Sequence, residues 1–293
     1  MKIVMVKVGK IKSLWRYPVK GMAGESLDKC QVSDQGLLGD RVWALRDESR
    51  QEIQSCKFRP ELLSCIARFR NDVIKGNGEH VDITMPDGVV IGSDDSTINS
   101  LLSKLTNHES TLEIQRPFED LDFYRRFKKD DHTWLNELKA TFEREPNEPL
   151  PELDNLPQTA QDFVSIPGTF FLVSPLHFIT TATLDYLKNL APDADWSIER
   201  FRPNIIIETE PEFQGLIEQD WVGYHMHINN ISINCNGTTP RCGAITKPQQ
   251  RLRKDVQVLR TVVAKANQNV GIYGETINSG VISVGDEVFM NFN

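Results

Sequence analysis

Short apolar runs recur through this sequence, each stopped within a few residues by a turn built on glycine or proline. That rhythm leaves little room for long helices or a parallel sheet. Ile11 to Tyr17 alternates loosely and meets Pro18-Val19-Lys20-Gly21-Met22-Ala23-Gly24. Ser26 to Val32 leads into Asp34-Gln35-Gly36-Leu37-Leu38-Gly39-Asp40, and Arg41 to Leu45 follows. Phe58 to Arg70 and Val81 to Met85 continue the series, with Pro86-Asp87-Gly88 predicting a hairpin turn before Val89-Val90-Ile91. Such spacing predicts a barrel or sandwich.

The second half follows the same rhythm. Thr169 to Pro175 reads as an apolar strand ending at Ser174, and Phe178 to Leu187 as the start of a helix capped by a threonine. Arg202 and Asn204 flank Pro203 just before Ile205-Ile206-Ile207, so a rigid turn feeds a buried strand. Ile231 to Cys235 alternates like a half-buried strand and is expected to end in a Gly237-Thr238-Thr239-Pro240 turn that presents Arg241 and Cys242. Helices are also predicted at Ser96 to Leu105, Trp134 to Phe142 and Val256 to Ala264, and Gly280 to Val288 closes the chain as strands. The expected fold class is mainly β with some helices (α+β).

At 293 residues the chain has room for one large or two ordinary domains. Arg144 to Pro157 holds four prolines and several acids and reads as a linker or exposed excursion. The expected division is therefore 1–143, a 144–158 connection and 159–293. A formal net charge of −8 argues against non-specific nucleic-acid binding. No run is long enough for a membrane span, and Met1 to Val8 is too short and charged for a signal peptide, so a cytoplasmic protein is expected. Five cysteines (Cys30, Cys56, Cys65, Cys235 and Cys242) without a C-x-x-C fit a reducing compartment.

Several chemistries are absent from the sequence: there is no Walker loop, dinucleotide fingerprint, H-E-x-x-H or G-x-S-x-G. His225 and His227 would share one face of a strand and read as a solvent-facing pair. Arg125-Arg126 and Lys128-Lys129, followed at once by Asp130-Asp131, read as a solvated face. What remains is a polar set at strand ends and turns: Lys20, Arg41, Ser174, Arg202, Asn204, Arg241 and Cys242. Its cations, hydroxyl and amide would suit a phosphorylated polar cofactor, and its thiol a soft metal. A thiol beside a guanidinium is also where a reactive thiolate is expected, against the plainer reading of Cys242 as a buried thiol.

Leu14-Trp15-Arg16-Tyr17-Pro18-Val19-Lys20-Gly21 and Gly36 to Trp43 resemble the N-terminal β-barrel module of MOSC proteins. Val173-Ser174-Pro175, Thr180 to Leu184, Arg200 to Ile205, Trp221-Val222-Gly223, Pro240-Arg241-Cys242 and Val284 to Val288 resemble, in order, the MOSC domain itself. That module is shared by amidoxime-reducing molybdoenzymes and the C-terminus of molybdenum-cofactor sulfurases. The resemblance implies an N-terminal β-barrel module followed by a MOSC β-barrel domain. It also implies a molybdenum cofactor, with Cys242 as metal ligand and Lys20, Arg41, Ser174, Arg202, Asn204 and Arg241 holding the pterin and its phosphate. Gly21, Pro240 and His177 depart from the mitochondrial members of the family and bear on the detail of those contacts.

The function so implied is reduction of N-hydroxylated compounds. With no four-cysteine pattern in the chain, a separate reductase or electron carrier is the expected partner. Two alternatives stay open on sequence: a persulfide or molybdenum-cofactor carrier using the same thiol, and a fold that has lost its cofactor and serves as a binding module.

Overall fold

The computed structural model describes residues 5–71, 73, 80–127 and 134–292. Lys128-Lys129, Asp130-Asp131 and His132 lie outside these, as do the first four residues. Alternation along the first strand, Met5–Arg16, buries Val8, Ile11 and Leu14 together. This strand pairs antiparallel with Ile205–Thr209 on one side and with Glu287–Asn291 on the other. Those two pairings close a seven-stranded barrel, completed by Leu176–Thr180, Asn269–Thr276, Ile231–Pro240 and His225–Ile228. Its interior is packed with Ile205, Ile207, Phe178, Ile233, Met226 and Met290, so it is a core and not a channel.

Closure demands tight crossings. Gly271 sits in the Asn269–Thr276 strand at φ 82°, where an added Cβ would lie 2.3 Å from the Phe178 carbonyl oxygen. A side chain there would break the ladder as well as strain the backbone. The Thr181–Leu190 and Val256–Lys265 helices cover the barrel's outer face through Leu187, Leu259 and Val262 against Ile179 and Ile206.

Beside the barrel, Trp43–Asp47 pairs with Ser110–Ile114 and Glu52–Ile53, while Ile66–Phe69, Val81–Thr84 and Val90–Gly92 form a second small sheet. A separate core of Val19, Met22, Trp43, Leu62, Ile83 and Leu102 sits between them. The Lys29–Ser33 strand pairs with Gly280–Ser283, so the two ends of the chain are stitched together a second time.

Three segments depart from expectation. Thr169 to Pro175 is loop, and the strand is Leu176–Thr180. Phe170 and Phe171 are buried, Phe170 against Phe123 and Tyr124, while Leu172 and Val173 are exposed. The run is apolar because it packs as a loop, and periodicity could not separate that from a strand. Phe178 and Ile179 are likewise strand rather than helix. The helix begins at Thr181, with Thr180 Oγ1 accepting from the Thr183 amide at 3.1 Å as its cap.

Gly237 to Pro240 is not a turn. The Ile231–Pro240 strand continues through two register shifts, after Cys235 and after Thr238. The bulges absorb a glycine and a proline that a regular ladder would reject.

Candidate functional site

Three cations are brought to one place by turns beside strands: Lys20 and Arg41 after a strand, Arg202 just before one. The Pro18–Gly24 loop is pinned where the Lys20 amide donates to the Trp43 carbonyl at 2.7 Å, leaving the Lys20 side chain buried. Arg41 and Arg202 both have left-handed backbone, φ 53° and 55°. That conformation costs roughly 1–3 kcal/mol at each non-glycine residue and is often found where function sets the geometry. Both guanidiniums lie against the Tyr17 ring, at 5.1 Å for Arg41 and 4.4 Å for Arg202. The Tyr17 hydroxyl donates to the Pro203 carbonyl at 3.0 Å.

A single buried carboxylate, Asp40, answers this charge. It pairs with Arg41 and accepts from the Tyr17 amide at 2.7 Å and from Asn204 Nδ2 at 2.9 Å. Lys20 donates instead to the Phe170 carbonyl at 2.5 Å. Burial, with Arg41, Lys57 and Arg202 nearby, draws its pKa down to about 7. Arg202 donates from Nη1 to the Met22 carbonyl, while its Nη2 is buried without a partner. An unpaired buried donor costs about 1–3 kcal/mol. An anion here would satisfy it.

The other expected site residues are braces. Asn204 gives its amide hydrogens to the Trp15 carbonyl and Asp40, and its oxygen accepts from the His177 amide. Ser174 donates to the Gly274 carbonyl at 2.9 Å. Arg241 is committed to the Val270 and Phe201 carbonyls and to His177 Nε2. Burial and then Arg241 hold the His177 ring neutral, far below the usual imidazole range. Its partners assign Nε2 as acceptor and Nδ1 as donor to the Arg202 carbonyl, so His177 joins Arg241 to the strained Arg202.

Cys242 is buried at the start of a short Gly243–Thr246 helical turn. The turn is covered by the segment that follows the Trp134–Ala140 helix. The Gly243 amide donates to the Thr141 carbonyl at 2.8 Å, and a Cβ on Gly243 would lie 2.3 Å from the Glu143 carboxyl carbon. Arg144 donates to the Arg241 carbonyl and to Gln268, and Arg260 to the Glu143 carbonyl and Glu148.

Cys56 escaped the sequence reading. It packs against Gly21, next to Lys20, and burial raises its pKa while the Arg202 charge works against that rise. Asp40 was equally unmarked, although it stands inside Gly39-Asp40-Arg41. Arg126, expected on a solvated face, reaches inward to the Ala160 and Phe163 carbonyls. Arg125 does face solvent, paired with Asp122. His225 and His227 flank the buried Met226 and are themselves half-buried. Among the described residues no group of three His, Cys, Asp or Glu side chains is placed to hold a metal by itself.

The Lys20 pKa carries a pH dependence with a definite sign. Since its folded pKa lies below the ordinary 10.5, the unfolded chain binds more protons between about 7 and 10.5, and stability rises with pH across that window. Anion binding runs the other way. Sulfate, whose charge is constant in this range, is expected to bind more weakly as pH rises through about 7. Isothermal titration should show that decline in the parent and a flatter profile in Lys20→Met.

Residues 8–116 match the MOSC N-terminal beta barrel domain and residues 168–289 the MOSC domain. Mitochondrial amidoxime reducing component 2 of Bos taurus is 25% identical to this chain over 308 residues, covering 97% of this chain and 83% of that one. Among solved structures, the YUAD protein from Bacillus subtilis aligns over 100% of both chains with 9% identity and a TM-score of 0.47. YiiM from Geobacillus stearothermophilus aligns over 40% of this chain and 54% of that one, with 13% identity and a TM-score of 0.31. Among the described residues no helix is long and apolar enough to cross a membrane.

Proposed function

We propose, from the premise that this chain belongs to the MOSC family, that it binds the molybdenum cofactor and reduces N-hydroxylated compounds with electrons from a separate protein. The observation that carries this reading is the cluster of buried Lys20 with half-buried Arg41 and Arg202, answered by one carboxylate and left with an unpaired donor. Guanidinium and ammonium groups gathered in a dry site fit phosphate and other anionic oxygens. Cys56 feels the charge of both Arg202 and Cys242, which supports reading the thiol and the cations as one site. The donor set fits a phosphorylated group that also takes one thiolate.

Lys20, Arg41 and Arg202 would grip the anionic end, and Cys242 would supply the thiolate ligand. Asn204, Arg241, Ser174 and His177 would keep these four in position. Held there, the cofactor would supply the two-electron redox chemistry that removal of the substrate oxygen needs. For an amidoxime the balance is one N–O bond broken, two electrons and two protons taken up, and one amidine and one water released. The electrons come from a reductase or electron-carrier protein.

Protein purified from a host that makes the cofactor should contain molybdenum and pterin near one equivalent each. It should reduce an amidoxime only with an added electron donor. Turnover with NADH and this chain alone would remove the separate partner. Absence of pterin would instead favour a persulfide carrier.

A further inference from the structure

The matches to the two family domains stop at residue 116 and resume at residue 168. The segment between them builds one side of a cavity of about 620 Å³, inside the usual size range of small-molecule sites. Trp134, Leu138, Phe142, Leu153, Leu156 and Val164 line it from that segment. Opposite lie Lys20, Tyr273 and the Asn236–Thr238 rim of the barrel. The cavity therefore ends at one of the three clustered cations, and Pro240, two residues before Cys242, is also in its wall.

Several features suit a flat apolar occupant. Leu172 and Val173 face the cavity and are 46% and 53% exposed, an apolar surface left open among the described residues. The Trp134–Ala140 helix, for all its Trp134, Leu135 and Leu138, has no fully buried residue. The charged groups around it are largely answered within the protein. Arg50 forms a two-bond pair with Glu137, at 3.0 and 3.1 Å, and Arg126 stacks 4.6 Å over the Trp134 ring while bonding two carbonyls. The Lys57 ammonium lies 5.6 Å over the Phe142 ring.

We infer that residues 134–164 roof a substrate chamber specific for aromatic N-hydroxylated compounds, with Trp134 and Leu138 as specificity-determining residues. This rests on the reductase reading above and adds the class of substrate. The ring lies under Trp134 and Leu138, and the N-hydroxy end points toward Lys20 and the Cys242 side. Small aliphatic hydroxylamines gain nothing from the roof.

Two measurements test the chamber separately from the redox reading. In the parent, a phenyl-substituted amidoxime should saturably change tryptophan fluorescence, and Trp134→Phe should abolish that change. In steady-state assays with an electron donor, Trp134→Ala and Leu138→Ala should raise KM for the phenyl amidoxime roughly tenfold or more, with kcat and the KM for hydroxylamine unchanged. Because this helix has no fully buried residue, both variants should fold, which circular dichroism verifies. Saturable binding at Trp134 without turnover of either compound supports the chamber and sinks the reductase. Turnover of both compounds with no KM change in the roof variants overturns the chamber and leaves the reductase standing. An equal rise in KM for both compounds overturns the aromatic specificity.

Discussion

Asp40→Ala is expected to cost about 3–5 kcal/mol of stability, because it removes one partner from a buried ion pair. The Asp40 side chain is 0% exposed and holds Arg41, the Tyr17 amide and Asn204 together. Losing it leaves Arg41 beside Arg202 and Lys20 with no carboxylate between them. It also frees Asn204, whose backbone and side chain join the first strand to the strands beside it through Trp15 and His177. Asp40→Asn should recover part of the hydrogen bonding but not the charge. Chemical denaturation of all three proteins, with and without added sulfate, checks the argument. Sulfate should stabilise Asp40→Ala more than the parent, since an anion then replaces the missing charge. Equal stabilisation would show that Asp40 and the anion do not share the same cations.

Cys242→Ala is expected to reduce bound molybdenum and turnover to background while costing only about 1 kcal/mol of stability. The thiol is buried but belongs to none of the main apolar clusters. The turn around it is held by main-chain bonds, from the Arg241 amide to the Gln268 carbonyl and from the Gly243 amide to the Thr141 carbonyl. Cys235→Ala is the control. Cys235 sits fully buried in the barrel interior, so its loss should cost about 1 kcal/mol or slightly more while metal content stays at the parent level. Metal analysis and thermal unfolding of the three proteins separate the two thiols. Metal lost with Cys235 and kept without Cys242 would move the ligand from the turn after the Ile231–Pro240 strand into the strand itself.

The members of the cation cluster were legible one by one, each within two residues of a glycine or proline that dictates a turn (Gly21, Gly39 and Pro203), while their convergence came only from the family resemblance. The division of labour within the set was not legible. Whether Arg241 grips a ligand or braces the fold depends on the carbonyls of Val270 and Phe201, which only the folded chain brings to it. A barrel was expected, but which strand closes it was hidden for a similar reason. Nothing local in Met5–Arg16 indicates that its partners lie about two hundred and nearly three hundred residues away. The roof was hidden because half-buried apolar residues on a short helix look the same in sequence whether they cover a core or a cavity.

Closure of the barrel by its first strand also sets an order of events during synthesis. Met5 pairs with Asn291 and Gly9 with Thr209, so apart from the short pairing of Leu14–Arg16 with Glu25–Leu27 the first strand waits about two hundred residues for its barrel partners. Contacts of such wide sequence separation slow folding. Until Glu287–Asn291 is made, the Met5–Arg16 strand presents an open edge, a surface that invites pairing with other chains. The same adjacency of the two ends makes the chain a good subject for circular permutation. A short linker joining them, with new termini cut elsewhere, would let the closing strand be made beside its partner.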